Sequence, residues 1–77
     1  MQIFFYSGVD CHLCDLAKDL LKQQSQYNDL NIEFIDVRQD HQTYHLYGAR
    51  IPVLKRQDNQ AELGWPFDSD ALTDFLS

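Results

Sequence analysis

Cys11-His12-Leu13-Cys14 places two sulfur atoms three residues apart. On a helix, residues at that spacing are neighbours on nearly one face. Two thiols so placed can close a disulfide in a small ring, exchange it with another disulfide, or share a metal ion. The thiolate is the reactive form, and free Cys is mostly thiol at neutral pH. A helix N-terminus favours the thiolate through its unpaired N–H groups and the positive end of the helix dipole. If a helix opens at the pair, Cys11 takes the exposed first turn and Cys14 lies deeper. Cys11 is then the attacking thiol and Cys14 the resolving one. The plainer alternative is a pair of small buried hydrophobes. His12 reads as a solvated residue at the helix start. Asp10 and Asp15 bring negative charge, and no Lys or Arg lies between Met1 and Cys14, so no cation supports the thiolate.

The elements that must position the pair follow from the apolar pattern. Gln2 to Tyr6 reads as a short buried strand, an unbroken run of strand formers. Ser7 to Asp10 is a loop, with Asp10 the expected N-cap of the helix that follows. Leu13, Ala17, Leu20 and Leu21 share one face of that helix, which should fray out around Gln24 to Tyr27. Asn31 to Val37 is a second strand, with Ile32, Phe34, Ile35 and Val37 as its apolar set. Strand, helix, strand over this length predicts a right-handed crossover between parallel strands. Asp40 to Tyr47 is a short helix capped by Asp40 and ended by Gly48. Pro52 to Arg56 and Gln60 to Leu63 form an antiparallel hairpin about Asp58-Asn59. A last helix runs from Asp68 or Ser69 to Leu76, packing Leu72, Phe75 and Leu76. The order β-α-β-α-β-β-α predicts one α/β domain over residues 1–77, a four-stranded mixed sheet with helices on both faces.

Composition narrows the function. The 77 residues carry a net charge of −6, and the six Lys and Arg are scattered, so the clustered cations of a nucleic-acid footprint are missing. No run approaches the roughly 20 apolar residues of a membrane span, and the N-terminus has no basic leader. A cytoplasmic monomer is expected, with neither nucleic acid nor membrane as partner. In that compartment a close Cys pair is more often redox-active or metal-binding than structural.

Four features, taken together, resemble the glutaredoxin-like domains of the thioredoxin superfamily over nearly the whole chain. They are the strand-to-helix Cys11-His12-Leu13-Cys14, the segment Tyr47-Gly48-Ala49-Arg50-Ile51-Pro52-Val53-Leu54, the Asp58-Asn59 hairpin, and Glu62-Leu63-Gly64-Trp65-Pro66-Phe67-Asp68. A C-x-x-C at a strand-to-helix junction is itself a redox cue. The likeness is greatest to small bacterial glutaredoxin-like proteins. It implies a thioredoxin-like fold and thiol–disulfide exchange with a disulfide-containing protein or with glutathione, and no tightly bound cofactor or metal. From the residues alone, Pro52 reads as an ordinary trans Pro at a strand start. The resemblance implies instead that Ile51-Pro52 is a cis bond facing the disulfide, with Ile51 and Pro52 docking the substrate. It likewise assigns Gly64, Asp68 and Ser69 to glutathione's γ-glutamyl group; Asp68 and Ser69 read equally well as helix caps. Phe67 is expected in the core, and Trp65 either there or over the site.

The chain also departs from the family pattern. Gly8 stands where glutaredoxins usually carry Lys, His12-Leu13 where they carry Pro and an aromatic, Arg50-Ile51-Pro52 where they carry Thr-Val-Pro, and Trp65 where they carry a second Gly. Glutathione is an anion, so the loss of a basic contact weakens its recognition; Arg50 reads either as charge supplied from the other side or, more simply, as a surface Arg. Two further classes stay open. Cys11 and Cys14 could join His41 and His45 around zinc, or share an iron–sulfur cluster between chains. A non-catalytic interaction domain on the same fold is the third.

Overall fold

The structure is a computed structural model that describes residues 1–77. Its strands are β1 (Gln2–Ser7), β2 (Asn31–Asp36), β3 (Val53–Arg56) and β4 (Glu62–Gly64). Its helices are α1 (His12–Lys22), α2 (His41–Tyr47) and α3 (Ser69–Leu76), with single 3-10 turns at Tyr27–Asp29 and Val37–Gln39. The sheet order is β2-β1-β3-β4. β1 and β2 are parallel, and β1–β3 and β3–β4 are antiparallel. The expected mixed, four-stranded, thioredoxin-like architecture is therefore present. No helix is long and apolar enough to cross a membrane.

Strand alternation divides the interior in two, because successive side chains point to opposite faces of a sheet. Ile3 and Phe5 of β1 and Leu54 of β3 meet Cys14, Ala17 and Leu21 of α1, Leu72 and Leu76 of α3, and Phe67. Val53, on the other face of β3, meets Tyr47 of α2 and Val37, with Tyr6 and Ile51 beside them. Helices thus cover both faces: α1 and α3 on one, the shorter α2 on the other. Because α2 covers less, Phe4 and Tyr6 are only half-buried, and β1 is not the uniformly buried strand its composition suggests.

The ends of the elements follow local chemistry. Asp40 caps α2 through the Thr43 N–H at 3.1 Å, and Asp68 caps α3 through the Ala71 N–H at 2.8 Å. Gly48 ends α2 as expected, its N–H donating to the Tyr44 carbonyl at 2.8 Å; its backbone stays right-handed (φ −55°), and a Cβ there would stand 2.6 Å from that carbonyl oxygen. Arg56 donates to the Phe75 and Ser77 carbonyls at 2.8 and 2.7 Å, satisfying the open end of α3, while Asp58 grips its other nitrogens.

Several expectations are corrected. Asp10 is not the cap of α1; it sits in the left-handed region at φ 57°, which Asp tolerates better than most residues, and Cys11 caps the helix. Leu13 is not on the buried face; it is 43% exposed, and Cys14 takes that place. α1 stops at Lys22 rather than fraying to Tyr27. β2 ends at Asp36, and Phe34 is 52% exposed because β2 is an edge strand. β3 begins after Pro52, and β4 runs Glu62–Gly64 rather than from Gln60.

Leu72 is fully buried between α3 and the sheet. Leu72→Ala is expected to lower the unfolding free energy by about 2–5 kcal/mol, read by urea denaturation. A loss below about 1 kcal/mol would mean that α3 is not docked as described.

Candidate functional site

β1 delivers the chain into a loop, and the loop turns into α1 at Cys11. The Cys11 backbone is extended (φ −92°, ψ 95°), as a helix cap requires, and its sulfur accepts the Cys14 N–H at 3.1 Å. A sulfur does here what a Ser or Asp oxygen usually does. Cys11 is half-buried at the surface, while Cys14 is 2% exposed within the larger core cluster. The two are joined by a disulfide, with their Cα atoms 5.2 Å apart. The outer sulfur thus lies where backbone amides and the helix dipole converge, and the inner one is held by packing.

The start of β3 reaches the same end of the sheet. Pairing of β1 with β3 sets Tyr6 opposite Val53, and the same register carried upward sets Ser7 opposite Pro52 and Gly8 opposite Ile51. The contact agrees: a Cβ on Gly8 would stand 2.9 Å from the Ile51 Cδ1. The Ile51-Pro52 bond is cis. Neither the N–H nor the C=O of Ile51 is hydrogen-bonded within the chain. Across the next strand pair, Val53 faces Gly64, and the Trp65 N–H donates to the Pro52 carbonyl at 3.1 Å. The Trp65-Pro66 bond is also cis, which the dipeptide alone does not announce. Trp65 stands edge-on to Phe67 at 5.1 Å, both against the core that holds Cys14. Ile51, Pro52 and Gly64 therefore line the end of the sheet from which Cys11 projects.

Ser69 lies elsewhere. The Ser69 hydroxyl accepts from the Gln24 side chain at 3.5 Å, and the Thr73 hydroxyl donates to Gln24 at 3.1 Å. Gln24 follows the C-terminal end of α1, whose eleven residues separate it from Cys11 by about 16 Å of helix. Asp68 is turned to its own helix as a cap. Ser69 is not gathered around the cysteine pair. Nor are His41 and His45, which are exposed on α2; no group of three or more His, Cys, Asp or Glu side chains is placed to hold a metal ion.

One cluster has no sequence signal, because its members come from three elements and the loop after α2 and no local spacing links them. The Tyr47 hydroxyl donates to Glu62 at 2.7 Å, and Arg50 donates to the other oxygen of Glu62 at 3.1 Å. The Tyr6 ring stacks on Tyr47 at 4.2 Å, and the Arg50 guanidinium lies 5.2 Å from the Tyr47 ring centre. Burial and the Glu62 carboxylate push Tyr47 up to about 12, and burial and the same charge raise Tyr6. The Tyr47 hydroxyl and Arg50 hold Glu62 below its usual range. An open groove of about 410 Å³ lies alongside, lined by Ala49, Arg50, Val53, Glu62, Gly64 and Trp65.

Residues 2–77 match the family model described as a Glutaredoxin-like domain (DUF836). No curated protein matches the chain. The X-ray structure of protein XcR50 from X. campestris is 34% identical, with a TM-score of 0.81 over 96% of this chain and 93% of that one. The solution structure of XcR50 is 36% identical, with a TM-score of 0.79 over 99% and 92%. Thioredoxin 1 from Thermosipho africanus is 17% identical with a TM-score of 0.67 over 99% and 94%, a likeness of fold.

The Tyr47–Glu62 bond has a pH signature. Tyr47 holds its proton more tightly in the folded chain, so its contribution to stability is complete below pH 10 and is lost as pH rises through about 12. Glu62 behaves oppositely: its contribution is complete above its ordinary value of 4.5 and is lost as pH falls below it. Glu62→Gln is expected to bring the Tyr47 midpoint down from about 12 towards 10 in a titration of tyrosinate absorbance. An unchanged midpoint would mean that the bond does not form in solution.

Proposed function

The chain belongs to the glutaredoxin-like domain family, and on that premise we propose that it is a thiol–disulfide oxidoreductase working through Cys11 and Cys14. One observation carries the reading: a half-exposed sulfur caps α1, and its disulfide partner is buried one turn further on. After reduction, the Cys11 thiolate keeps the Cys14 N–H as a hydrogen-bond donor, and hydrogen bonding to the charged form favours it.

The exchange runs in two steps. The Cys11 thiolate attacks one sulfur of a substrate disulfide, forming a mixed disulfide and expelling the other substrate sulfur as a thiolate, which takes up a proton. The Cys14 thiol loses its proton, and its thiolate attacks the Cys11 sulfur, expelling the second substrate thiolate and closing Cys11–Cys14. Two electrons and two protons pass to the substrate. A thiol or dithiol reductant reverses the sequence and restores the pair. Burial keeps Cys14 from meeting substrates first, and its spacing keeps it within reach of Cys11. Ile51 and Pro52 form the docking edge, where the free N–H and C=O of Ile51 pair with an extended substrate. Gly64 leaves the neighbouring strand end open, since a Cβ there would meet nothing. The substrate is a disulfide-containing protein or glutathione, the latter as a co-substrate rather than a resident group.

The wild-type pair is expected to titrate reversibly in thiol buffers, with a midpoint between roughly −180 and −270 mV. Cys14→Ser should accumulate a mixed disulfide on Cys11, seen by intact mass. Cys11→Ser should accumulate none and turn over no disulfide. A pair that cannot be reduced and re-formed would remove the assignment.

A further inference from the structure

The segment that carries the cysteine pair also carries apolar side chains that the core does not use. Val9 is 56% exposed, Leu13 43% and Leu16 39%. Val9 lies in the loop before Cys11. Leu13 and Leu16 are three apart on α1, so they form a stripe beside the buried face of Cys14, Ala17 and Leu21. Single exposed leucines are ordinary. Three apolar side chains in the segment around a reactive sulfur make a surface for contact.

The charge around them has one sign in excess. Residues 1–17 contain no Lys or Arg. Asp10 and Asp15 are exposed beside the pair, and Asp36 ends β2 opposite Ser7. The cation next to the docking edge, Arg50, is paired with Glu62 at 3.1 Å. Lys18 lies over the Phe34 ring at 5.2 Å. Arg38, on the far edge of the sheet beyond Asp36, is the remaining cation towards that end. Such a rim repels a small anion and attracts a cationic partner with apolar surface.

We infer that the preferred substrate is a protein disulfide in an extended segment flanked by apolar and basic residues, and that glutathione disulfide is a poor one. This rests on the disulfide-exchange reading and goes beyond it by naming the substrate class. The apolar flanks lie on Val9, Leu13 and Leu16, the basic flanks face Asp10 and Asp15, and the segment's backbone pairs with Ile51.

The test is a single-turnover rate measurement on the fully reduced protein, following closure of Cys11–Cys14 by quench and thiol labelling. Three probes are used: glutathione disulfide, a peptide disulfide flanked by Leu and Lys, and the same peptide with Ser and Glu at those flanks. The Leu/Lys peptide is expected to react about tenfold or more faster than glutathione disulfide, and the Ser/Glu peptide to fall to the glutathione level. Added salt should narrow the gap between the two peptides. In the double variant Leu13→Ser, Leu16→Ser, the Leu/Lys peptide should slow about threefold while the salt dependence of its rate remains. Glutathione disulfide reacting as fast as the Leu/Lys peptide, or equal rates for the two peptides, overturns this inference and leaves disulfide exchange standing. No reaction with any of the three overturns the exchange reading itself.

Discussion

The first turn of α1 is the constraint on which the rest depends. Its cap is a sulfur, and its first buried residue is the other sulfur of the same disulfide. A helix start has N–H groups that no carbonyl of its own can satisfy, and here Cys11 meets one of them. For Cys14 to reach the core while Cys11 stays at the surface, α1 must leave β1 at once and lie flat on the sheet. Ile3, Phe5 and Leu54 form the floor for that, and Leu72, Leu76 and Phe67 close the side. The core that stabilises the fold is thus also what separates the two thiols into an accessible one and a sheltered one.

Much of this architecture is legible in the residues, and the exceptions share a cause. Strands are readable from Ile, Phe and Val runs, and two of the helix starts from Asp40 and Asp68, because those signals are local. The residues point to Asp10 as the cap of α1 because oxygen is the commoner capping acceptor, and nothing in the spacing says that a thiol will serve. The apolar pattern of its strand predicts Phe34 inside. Its exposure follows from the strand order, which places β2 at an edge, and order is a tertiary fact. Leu13 and Cys14 are adjacent, and the helical pattern alone admits either on the buried face. Tyr47, Arg50 and Glu62 meet only because α2, the loop after it and β4 converge on one side of the sheet.

The site shows the same division. Cys11, Cys14 and the cis bond at Pro52 follow from short motifs and a resemblance. The position of Ser69 does not, because it depends on how the Trp65–Asp68 segment lets α3 lie. In this chain α3 begins near the far end of α1, tied there through Gln24. The end of the molecule that holds the disulfide is left with the edge of β3, the Trp65 backbone and the loop before Cys11.

Gly8 and Ile51 illustrate how the departures from the family pattern belong together. Ile51 reaches across to Gly8, so close that even a methyl group at position 8 would displace its terminal carbon. A lysine there would have to push that carbon aside before presenting its charge. The absence of a cation at position 8 and the replacement of valine by the longer isoleucine before Pro52, whose Cδ1 is the atom that fills the space at Gly8, are thus one packing choice, not two substitutions. It exchanges a point charge beside Cys11 for apolar surface continuous with the core. Arg50 is held by Glu62 and does not restore the charge, since its guanidinium is already hydrogen-bonded and lies over an aromatic ring. The electrostatic character of the rim is therefore set by packing between β1 and β3 as much as by the chain's overall acidity.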